Sequence, residues 1–245
     1  MLNLKLIKAI TLDLDDTLWP VWPTIERAEK ALENWLSYSA PKTAVLMSNP
    51  TARLEVRAHI VQSHPELQHN LSAIRHEMIR LALQRSGEDT LLADEAFKVF
   101  FDERNRVVLY EDALLALTFL SERFPIVAVS NGNADIERIG LKAYFKTSMS
   151  AQAFGVAKPD ARIFHAAAEA VGVSPHNVLH IGDDHTLDVM GALNAGMQAA
   201  WLNRASSPWP HVETPHITVA SLTELCDVIK AENNVGNNVK DNVEN

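Results

Sequence analysis

Residues 10–18 read Ile-Thr-Leu-Asp-Leu-Asp-Asp-Thr-Leu, and they continue an apolar run that begins at Leu6. An apolar run of this length is typical of a buried parallel strand. The run ends in Asp13, Asp15 and Asp16, and such carboxylates need partners because an unpaired buried charge is very costly. The pattern therefore predicts a divalent cation at the carboxyl end of a strand, where open α/β sheets bind ligands. An acidic turn that caps the next helix is the alternative that this stretch alone leaves open.

Composition narrows the class of protein. The chain has 245 residues, 47% of them hydrophobic, which is enough for one sizeable core or for a core domain with a smaller second domain. Its net charge is −9 and it has no block of five or more Lys or Arg, so nucleic acid and anionic membranes are not expected partners. It has no run of 18 apolar residues, which predicts no membrane span. The single cysteine, Cys226, excludes an intramolecular disulfide and fits a cytoplasmic location.

The sequence changes character after Thr17. Residues 19–23, Trp-Pro-Val-Trp-Pro, predict a hinge, since two prolines do not suit a helix interior or a central strand. Thr24 is then the expected N-cap of a helix. Helical spacing of apolar residues continues in three more segments, at about 51–62, 66–85 and 89–106. Four consecutive helices without a strand predict a small helical bundle inserted after the first strand, at residues 20–106.

From residue 112 onward, apolar strands alternate with helical segments. The predicted strands lie at 126–130, 147–150, 178–181, 198–202 and 217–219. This alternation predicts a doubly wound α/β fold with a parallel sheet. We assign residues 1–19 and 107–230 to this core. Residues 231–245 contain six asparagines and few apolar residues, and we expect them to be disordered.

Two further segments carry groups that suit a phosphate. Ser130-Asn131-Gly132 follows an apolar strand, and a hydroxyl with backbone N–H groups before a helix can bind phosphate oxygens. Lys158 precedes Pro159 at the start of a predicted helix, where its ammonium could neutralise a phosphoryl group and a nearby carboxylate. Considered alone, each has a plainer explanation, an ordinary turn and a solvated lysine before a helix-starting proline.

A second acidic strand end lies late in the chain. Residues 181–188 read Ile-Gly-Asp-Asp-His-Thr-Leu-Asp. Asp183 and Asp184 could complete a hard-cation site with Asp13 and Asp15, and oxygen ligands of this kind suit Mg²⁺. Helix N-capping by Asp184 is the alternative.

Asp188 falls on the first turn of the predicted helix, where it could hold Lys158 or a metal-bound water. The ten histidines form no zinc-binding pattern.

Taken together, these motifs resemble the haloacid dehalogenase superfamily of phosphohydrolases. The resemblance lies in Asp13-Leu-Asp-Asp-Thr17, Ser130-Asn131-Gly132, Lys158-Pro159 and Gly182-Asp183-Asp184 with Asp188. Within the superfamily, residues 130–134, 182–192 and 196–202 are most similar to the YigB-type bacterial phosphatases. This similarity implies a subfamily I enzyme with a type 1 helical cap, Mg²⁺ as cofactor, and activity on FMN and the phosphorylated ribitylaminouracil of riboflavin synthesis.

The resemblance also implies roles for individual residues. Asp13 is the expected nucleophile, which forms an aspartyl-phosphate, and Asp15 is the general acid and base. The other expected roles are metal binding by Asp13, Asp15 (through its carbonyl) and Asp183, phosphate binding by Ser130, Asn131 and Lys158, and support by Thr17, Gly182, Asp184 and Asp188.

Substrate choice is assigned to the cap and to the two hinge tryptophans. Trp19 and Trp22 are candidates for stacking on a flat ring, and packing of the hinge is the alternative. Other functions stay open: a phosphoglycolate or sugar-phosphate phosphatase, a phosphomutase, a C–Cl dehalogenase and a non-catalytic binding protein. A dehalogenase would not need Asp15 or Asp183, and a binding protein should have lost Asp13 or Asp15.

Overall fold

The computed structural model describes residues 1–240, with side chains described as far as residue 231. The chain forms two compact units. The first contains residues 1–19, 109–130 and the chain from Gly140 onward, and the second contains residues 20–108 and 131–139.

Six strands form one parallel sheet in the first unit. They are β1 (Ala9–Leu12), β2 (Ile126–Ser130), β3 (Thr147–Ser150), β4 (Val178–Gly182), β5 (Gln198–Leu202) and β6 (Ile217–Val219). The sheet order is β3-β2-β1-β4-β5-β6, and the predicted doubly wound parallel sheet is confirmed. Every residue of β1, β2, β4 and β5 is buried, as expected for strands covered on both faces. The strand order reverses at β1, and such switch points are where open α/β sheets bind ligands.

Eleven α-helices are described along the chain. They are α1 (Val21–Ser39), α2 (Pro41–Ser48), α3 (Pro50–Ser63), α4 (Leu71–Ser86), α5 (Ala93–Arg104), α6 (Ala113–Ser121), α7 (Ile136–Ile139), α8 (Ala151–Phe154), α9 (Ala161–Glu169), α10 (Gly191–Asn194) and α11 (Leu222–Lys240). A π-helical segment, His185–Met190, precedes α10.

The second unit is helical, as predicted, but its helices begin and end differently. It has five helices between residues 20 and 108, because Pro41–Ser48 forms α2 where a loop was expected. Helix α1 begins at Val21 rather than after Thr24, whose hydroxyl donates to the Pro20 carbonyl at 3.2 Å instead of capping a helix. Pro23 is tolerated in this first turn because a backbone N–H there has no intrahelical acceptor.

Residues 131–139 belong to the second unit, although we had placed them in the core. The Asn105 side chain accepts a hydrogen bond from the Asp135 N–H at 2.8 Å, and the Arg104 Nε donates to Asn133 at 3.2 Å. Arg138 adds an ion pair to Asp102 at 2.8 Å. These polar contacts attach the segment to α5. The spacing of apolar residues, from which the domain boundary was predicted, does not indicate them.

The C-terminal helix is longer than expected. Helix α11 continues to Lys240, whereas we expected disorder from residue 231. Residues 241–245, also part of that expectation, lie outside the described residues. Among the helices that the structure describes, none is long and apolar enough to cross a membrane.

Candidate active site

The loop that follows β1 places Asp13 at the carboxyl edge of the sheet. The Asp13 N–H donates to the Ile181 carbonyl of β4 at 3.0 Å, so its backbone continues the strand pairing. The chain then turns back at Asp16, which has a φ of +57°. Aspartate is one of the few residues other than glycine that adopts this left-handed conformation readily. The Asp16 N–H closes the turn by donating to the Trp19 carbonyl at 2.7 Å.

Asp13 is buried and is held by two side chains. The Lys158 ammonium donates to its Oδ1, and the Thr17 hydroxyl donates to its Oδ2 at 3.3 Å. Burial raises the pKa of Asp13, Lys158 lowers it, and the charges of Asp188 and Asp183 raise it further. A predicted nucleophile thus lies beside a predicted phosphate-binding lysine, both 7% exposed or less.

Lys158 is shared between two carboxylates. Its Nζ also donates to Asp188 Oδ1 at 2.6 Å. Burial lowers the pKa of Lys158, but the charges of Asp13 and Asp188 outweigh it and the net shift is upward. Lys158 therefore stays protonated at neutral pH.

Asp188 is buried and accepts hydrogen bonds on both oxygens. Its Oδ2 accepts from the Asp184 N–H at 3.1 Å. Burial raises its pKa, but Lys158 and His180 lower it to about 2 overall. Gly182 makes room for this carboxylate, because a Cβ at residue 182 would lie 2.3 Å from the Asp188 Cγ.

Asp183 completes the acidic cluster. Its Oδ1 lies 3.2 Å from the Thr17 hydroxyl, whose single proton is shared between Asp183 and Asp13 as alternative acceptors. Burial, together with the charges of Asp188 and Asp16, raises the pKa of Asp183 to about 7.

Asp184 has a capping role, which is the alternative that the sequence left open. Its Oδ1 accepts from the backbone N–H groups of Thr186 and Leu187, both at 2.7 Å. This carboxylate therefore caps the helical segment that begins at His185. The expectation that Asp184 ligates a cation is not supported, because its hydrogen bonds orient it toward the helix.

The acidic cluster fits a divalent cation. Asp13, Asp183 and Asp188 each offer a carboxylate oxygen, and the three oxygens lie within 4.8 Å of one another. When all three carboxylates are ionised, they and the Lys158 ammonium carry two negative charges in total, which an ion such as Mg²⁺ would neutralise. Oxygen donors at this spacing suit a hard cation. The third carboxylate of the cluster is Asp188. The ligand that we predicted beside Asp13 and Asp183 is the backbone carbonyl of Asp15, and that role stays a prediction.

Asp15 is oriented by a tryptophan. The Trp19 indole Nε1 donates to Asp15 Oδ1 at 2.8 Å, and the backbones of the two residues form an isolated bridge. The Trp19 side chain is fully buried. Its burial and its hydrogen bond to Asp15 favour the alternative that Trp19 packs the hinge, and its stacking on a substrate stays a prediction.

The remaining predicted site residues, Ser130, Asn131 and Trp22, do not all lie in the same unit. Ser130 is buried at the end of β2, next to β1 in the sheet. Asn131 and Trp22 belong to the second unit, so their predicted contacts with a substrate stay predictions. Trp22 is 71% exposed.

The sequence of this chain matches a known protein family over most of its length. The sequence model of the haloacid dehalogenase-like hydrolases matches residues 7–196, which include every charged residue of the site described above. The chain belongs to this family. The predicted resemblance and the prediction of a hydrolase are thereby confirmed.

Two curated relatives of this haloacid dehalogenase-like hydrolase carry phosphatase names. The 5-amino-6-(5-phospho-D-ribitylamino)uracil phosphatase YigB of Escherichia coli is 32% identical over 231 residues, covering 91% of this chain and 96% of the relative. The phosphoserine phosphatase of Thermus thermophilus is also 32% identical, over 157 residues, which cover 62% of this chain and 63% of that enzyme.

One solved structure carries a different name. The 2-haloacid dehalogenase from Pseudomonas syringae pv. Tomato superposes with a TM-score of 0.87 and 34% identity, covering 92% of this chain and 99% of that one. The family fold is thus shared with a protein named for C–halogen cleavage, and the site chemistry has to distinguish the two reactions.

Two residues that support the first motif of this family member were not predicted from its sequence. Arg204 donates to the Thr17 carbonyl at 3.1 Å, binds both Asp112 oxygens at 2.9 and 3.1 Å, and lies 4.0 Å from the Tyr110 ring centroid. The Trp201 Nε1 donates to the Asp183 carbonyl at 2.8 Å. Neither residue lies in a motif, and only the folded chain brings them to the site.

Proposed function

We propose that this protein is a Mg²⁺-dependent phosphomonoester hydrolase that acts through an aspartyl-phosphate on Asp13. The observation that carries the proposal is the buried contact of the Asp13 carboxylate with the Lys158 ammonium, inside a cluster of cation-binding oxygens. A nucleophile of this kind can approach an anionic phosphoryl group only where positive charge offsets the repulsion. The phosphatase names of the two curated relatives support this reading.

The first half of the reaction uses both acids of the first motif. An Asp13 oxygen attacks phosphorus, so the bond between phosphorus and the ester oxygen breaks and an acyl phosphate forms. Asp15 gives its proton to the departing alkoxide. Lys158 and Ser130 stabilise the phosphoryl oxygens as charge moves onto them.

The second half regenerates the enzyme. Asp15, now ionised, takes a proton from a water molecule that attacks the phosphorus of the acyl phosphate. The bond between phosphorus and the Asp13 oxygen breaks, phosphate leaves, and Asp13 returns as a carboxylate. Asp15 thus finishes the cycle protonated, as it began.

Asp13 and Asp183 are the residues that would hold Mg²⁺, with the Asp15 carbonyl as a further ligand and Asp188 balancing the charge. When bound, the ion supplies positive charge that offsets repulsion between the carboxylate nucleophile and the phosphate ester. The Thr17 hydroxyl lies within hydrogen-bond distance of both Asp13 and Asp183, so its single proton can be donated to either carboxylate.

The substrate class that we propose is a small phosphorylated metabolite with a flat ring, such as FMN or the ribitylaminouracil phosphate. The support is the coverage of the YigB relative, which extends over 96% of that enzyme. Within the second unit, Trp22 lines a cavity of ≈ 610 Å³ together with Met78, Arg53 and Arg57. Three glutamates line the same cavity as its cationic side chains, so its charge is mixed. The exposed indole suits stacking on a flat ring. We propose that the second unit acts as the cap that selects the leaving group.

A C–halogen hydrolase is the second candidate, because a 34% identical structure is named a 2-haloacid dehalogenase. That reaction does not require a proton donor for the leaving halide or a cation beside the nucleophile. The positioned carboxylate of Asp15 and the cluster around Asp183 are explained by phosphate chemistry and would have no use in dehalogenation.

One assay separates the two candidates. Phosphate release is measured over a panel of phosphomonoesters that includes FMN, and chloride release is measured from 2-chloropropionate, each with Mg²⁺ and with excess EDTA. The proposal expects phosphate release that EDTA abolishes, and no chloride release. Chloride release without phosphate release would establish the dehalogenase, and phosphate release unchanged by EDTA would refute the metal requirement.

A further inference from the structure

A fully buried histidine lies behind the catalytic lysine, and the reaction described above does not use it. His180 lies in the middle of β4, and its backbone partner in β1 is Thr11. Its Nδ1 lies 2.9 Å from the Thr11 hydroxyl and its Nε2 lies 3.1 Å from Asp188 Oδ1. The edge-to-face ring of Phe164, 4.9 Å away between centroids, restricts its rotation.

The hydrogen bonds around His180 assign its proton. Asp188 Oδ1 also receives the Lys158 ammonium, and a carboxylate oxygen that receives an ammonium proton acts as an acceptor. His180 therefore donates through Nε2–H, which leaves Nδ1 as an acceptor for the Thr11 hydroxyl. Each ring nitrogen thus has one defined partner.

This arrangement fixes Asp188 from two sides. His180 contacts Oδ1, and the Asp184 N–H donates to Oδ2 at 3.1 Å. With both oxygens held, Asp188 presents a fixed acceptor to Lys158, whose ammonium also contacts Asp13. Without His180, Oδ1 would lose one of the two hydrogen bonds described above, and the Asp188 carboxylate could rotate away from Lys158. Lys158 would then lose its fixed position beside the nucleophile.

We propose that His180 is a positioning residue, which holds Asp188 and thereby fixes Lys158 against Asp13 for phosphoryl transfer. The proposal rests on the proposed function, in which Lys158 and Asp13 act on the phosphoryl group. Comparable hydrogen-bonding partners behind the residues of a metal site typically contribute 10–100-fold to activity or affinity.

The test compares three substitutions with a matched control. His180→Phe removes the donor but keeps a ring, and we expect kcat to fall about 10–100-fold with little change in KM. His180→Gln can donate to Asp188 and accept from Thr11, and we expect it to restore most of the lost rate. Thr11→Val removes only the hydroxyl and should lower kcat less than His180→Phe does. The control is His165→Gln, because the described contact of His165 is with the Ala195 carbonyl, at 3.0 Å, and not with a residue of the site.

A second measurement does not depend on turnover. The Lys158 ammonium is buried between two carboxylates, so the wild-type protein should show a slowly exchanging ¹⁵N-lysine ammonium signal. This signal should shift or broaden in His180→Phe and return in His180→Gln. If the phosphatase proposal fails, the wild type releases no phosphate, and this signal alone then tests the positioning of Lys158.

If His180 only stabilised the fold, its variants would behave differently. His180→Phe and His180→Gln would then both lower the melting temperature while kcat, measured well below that temperature, and the ammonium signal stayed at wild-type values. That outcome would overturn the proposal, as would an equal loss of kcat in the Phe and Gln variants. If His180→Phe does not fold, Thr11→Val carries the comparison, and an unchanged kcat in that variant would contradict the assignment.

Discussion

The indole nitrogen of Trp19 donates a 2.8 Å hydrogen bond to Oδ1 of Asp15, the residue to which we assign proton transfer. The two residues also form a backbone bridge, and the Trp19 ring is fully buried. A buried tryptophan has a single polar handle, its Nε1–H, and usually places it on a partner. Here the partner is the carboxylate to which we assign proton transfer, and we expect Trp19 to affect that step through the orientation of Asp15.

Trp19→Phe should slow the reaction without removing the fold. The substitution keeps an aromatic ring in the core but removes the donor to Asp15, and hydrogen bonds to charged groups contribute about 1.5–3 kcal/mol. We expect kcat to fall roughly tenfold with little change in KM, since a tenfold change in rate corresponds to about 1.4 kcal/mol, near the lower end of that range. Steady-state kinetics measures the effect. The control variant is Trp35→Phe, because Trp35 is a half-buried tryptophan of the second unit. Equal kcat values in the wild type and Trp19→Phe would show that the hydrogen bond does not orient the acid.

Asp15→Asn should be slow but still folded. The amide cannot exchange a proton, and general acid–base catalysis typically contributes 10²–10⁴-fold. In the first half-reaction, measured in a single turnover as release of the leaving alcohol, the loss should be smaller for substrates with a good leaving group such as p-nitrophenyl phosphate, because that phenolate departs without protonation. A uniform loss for all leaving groups would assign Asp15 a different role.

Two neighbouring aspartates should respond to substitution in opposite ways. Asp183→Asn relieves repulsion among the carboxylates, so the metal-free protein should melt at a higher temperature than the wild type and lose the stabilisation by Mg²⁺. Asp184→Ala removes an N-cap, which typically lowers stability by about 1 kcal/mol, but should keep the Mg²⁺ response. Thermal unfolding with EDTA and with Mg²⁺ measures both effects. A full Mg²⁺ response in Asp183→Asn would exclude Asp183 as a ligand.

The effect of Asp183→Asn in EDTA should depend on pH. In the folded protein the pKa of Asp183 is raised from 3.8 to about 7, so the folded state binds this proton more tightly than the unfolded chain. Ionisation of the wild-type Asp183 carboxyl therefore lowers the free energy of unfolding progressively as the pH rises from about 4 to about 7. The melting-temperature gain of Asp183→Asn should be largest above pH 7 and should vanish toward pH 4. A gain that does not vary with pH would point to a cause other than this charge.

Trp22→Ala tests the choice of substrate. If the indole stacks on a flat ring, kcat/KM for FMN should fall about three- to tenfold more than kcat/KM for a small aliphatic phosphate, since aromatic contacts contribute roughly 0.5–1.5 kcal/mol. Tyr38→Ala is the matched control, because Tyr38 lies on the same helix and is 90% exposed. Parallel losses for both substrates would show that Trp22 supports the helix and selects nothing.

The sequence predicted those features that depend on chain-local patterns. Asp13, Ser130 and Asp183 were found because each follows an apolar strand, and the carboxyl ends of parallel strands meet at one edge of a sheet. The same reasoning identified the six strands to within a few residues.

Other features depend on geometry that a pattern does not encode. The pattern left open whether Asp184 or Asp188 faces the site, and the choice is made by the cap that Asp184 forms with Thr186 and Leu187. Trp19 looked like a hinge residue, because nothing in the sequence indicates that its indole turns back onto Asp15. His180 sits in an apolar strand, and only the folded chain brings it to Asp188.

The formation of an acyl phosphate on Asp13 tests the central claim most directly. The enzyme is mixed with a substrate labelled in its phosphoryl group in the presence of Mg²⁺, quenched in acid within the first turnover, and digested for peptide mapping. The account predicts label on the peptide that contains Asp13, and neither label nor phosphate release in Asp13→Asn, which should keep the fold. Phosphate release by Asp13→Asn at the wild-type rate would contradict the account.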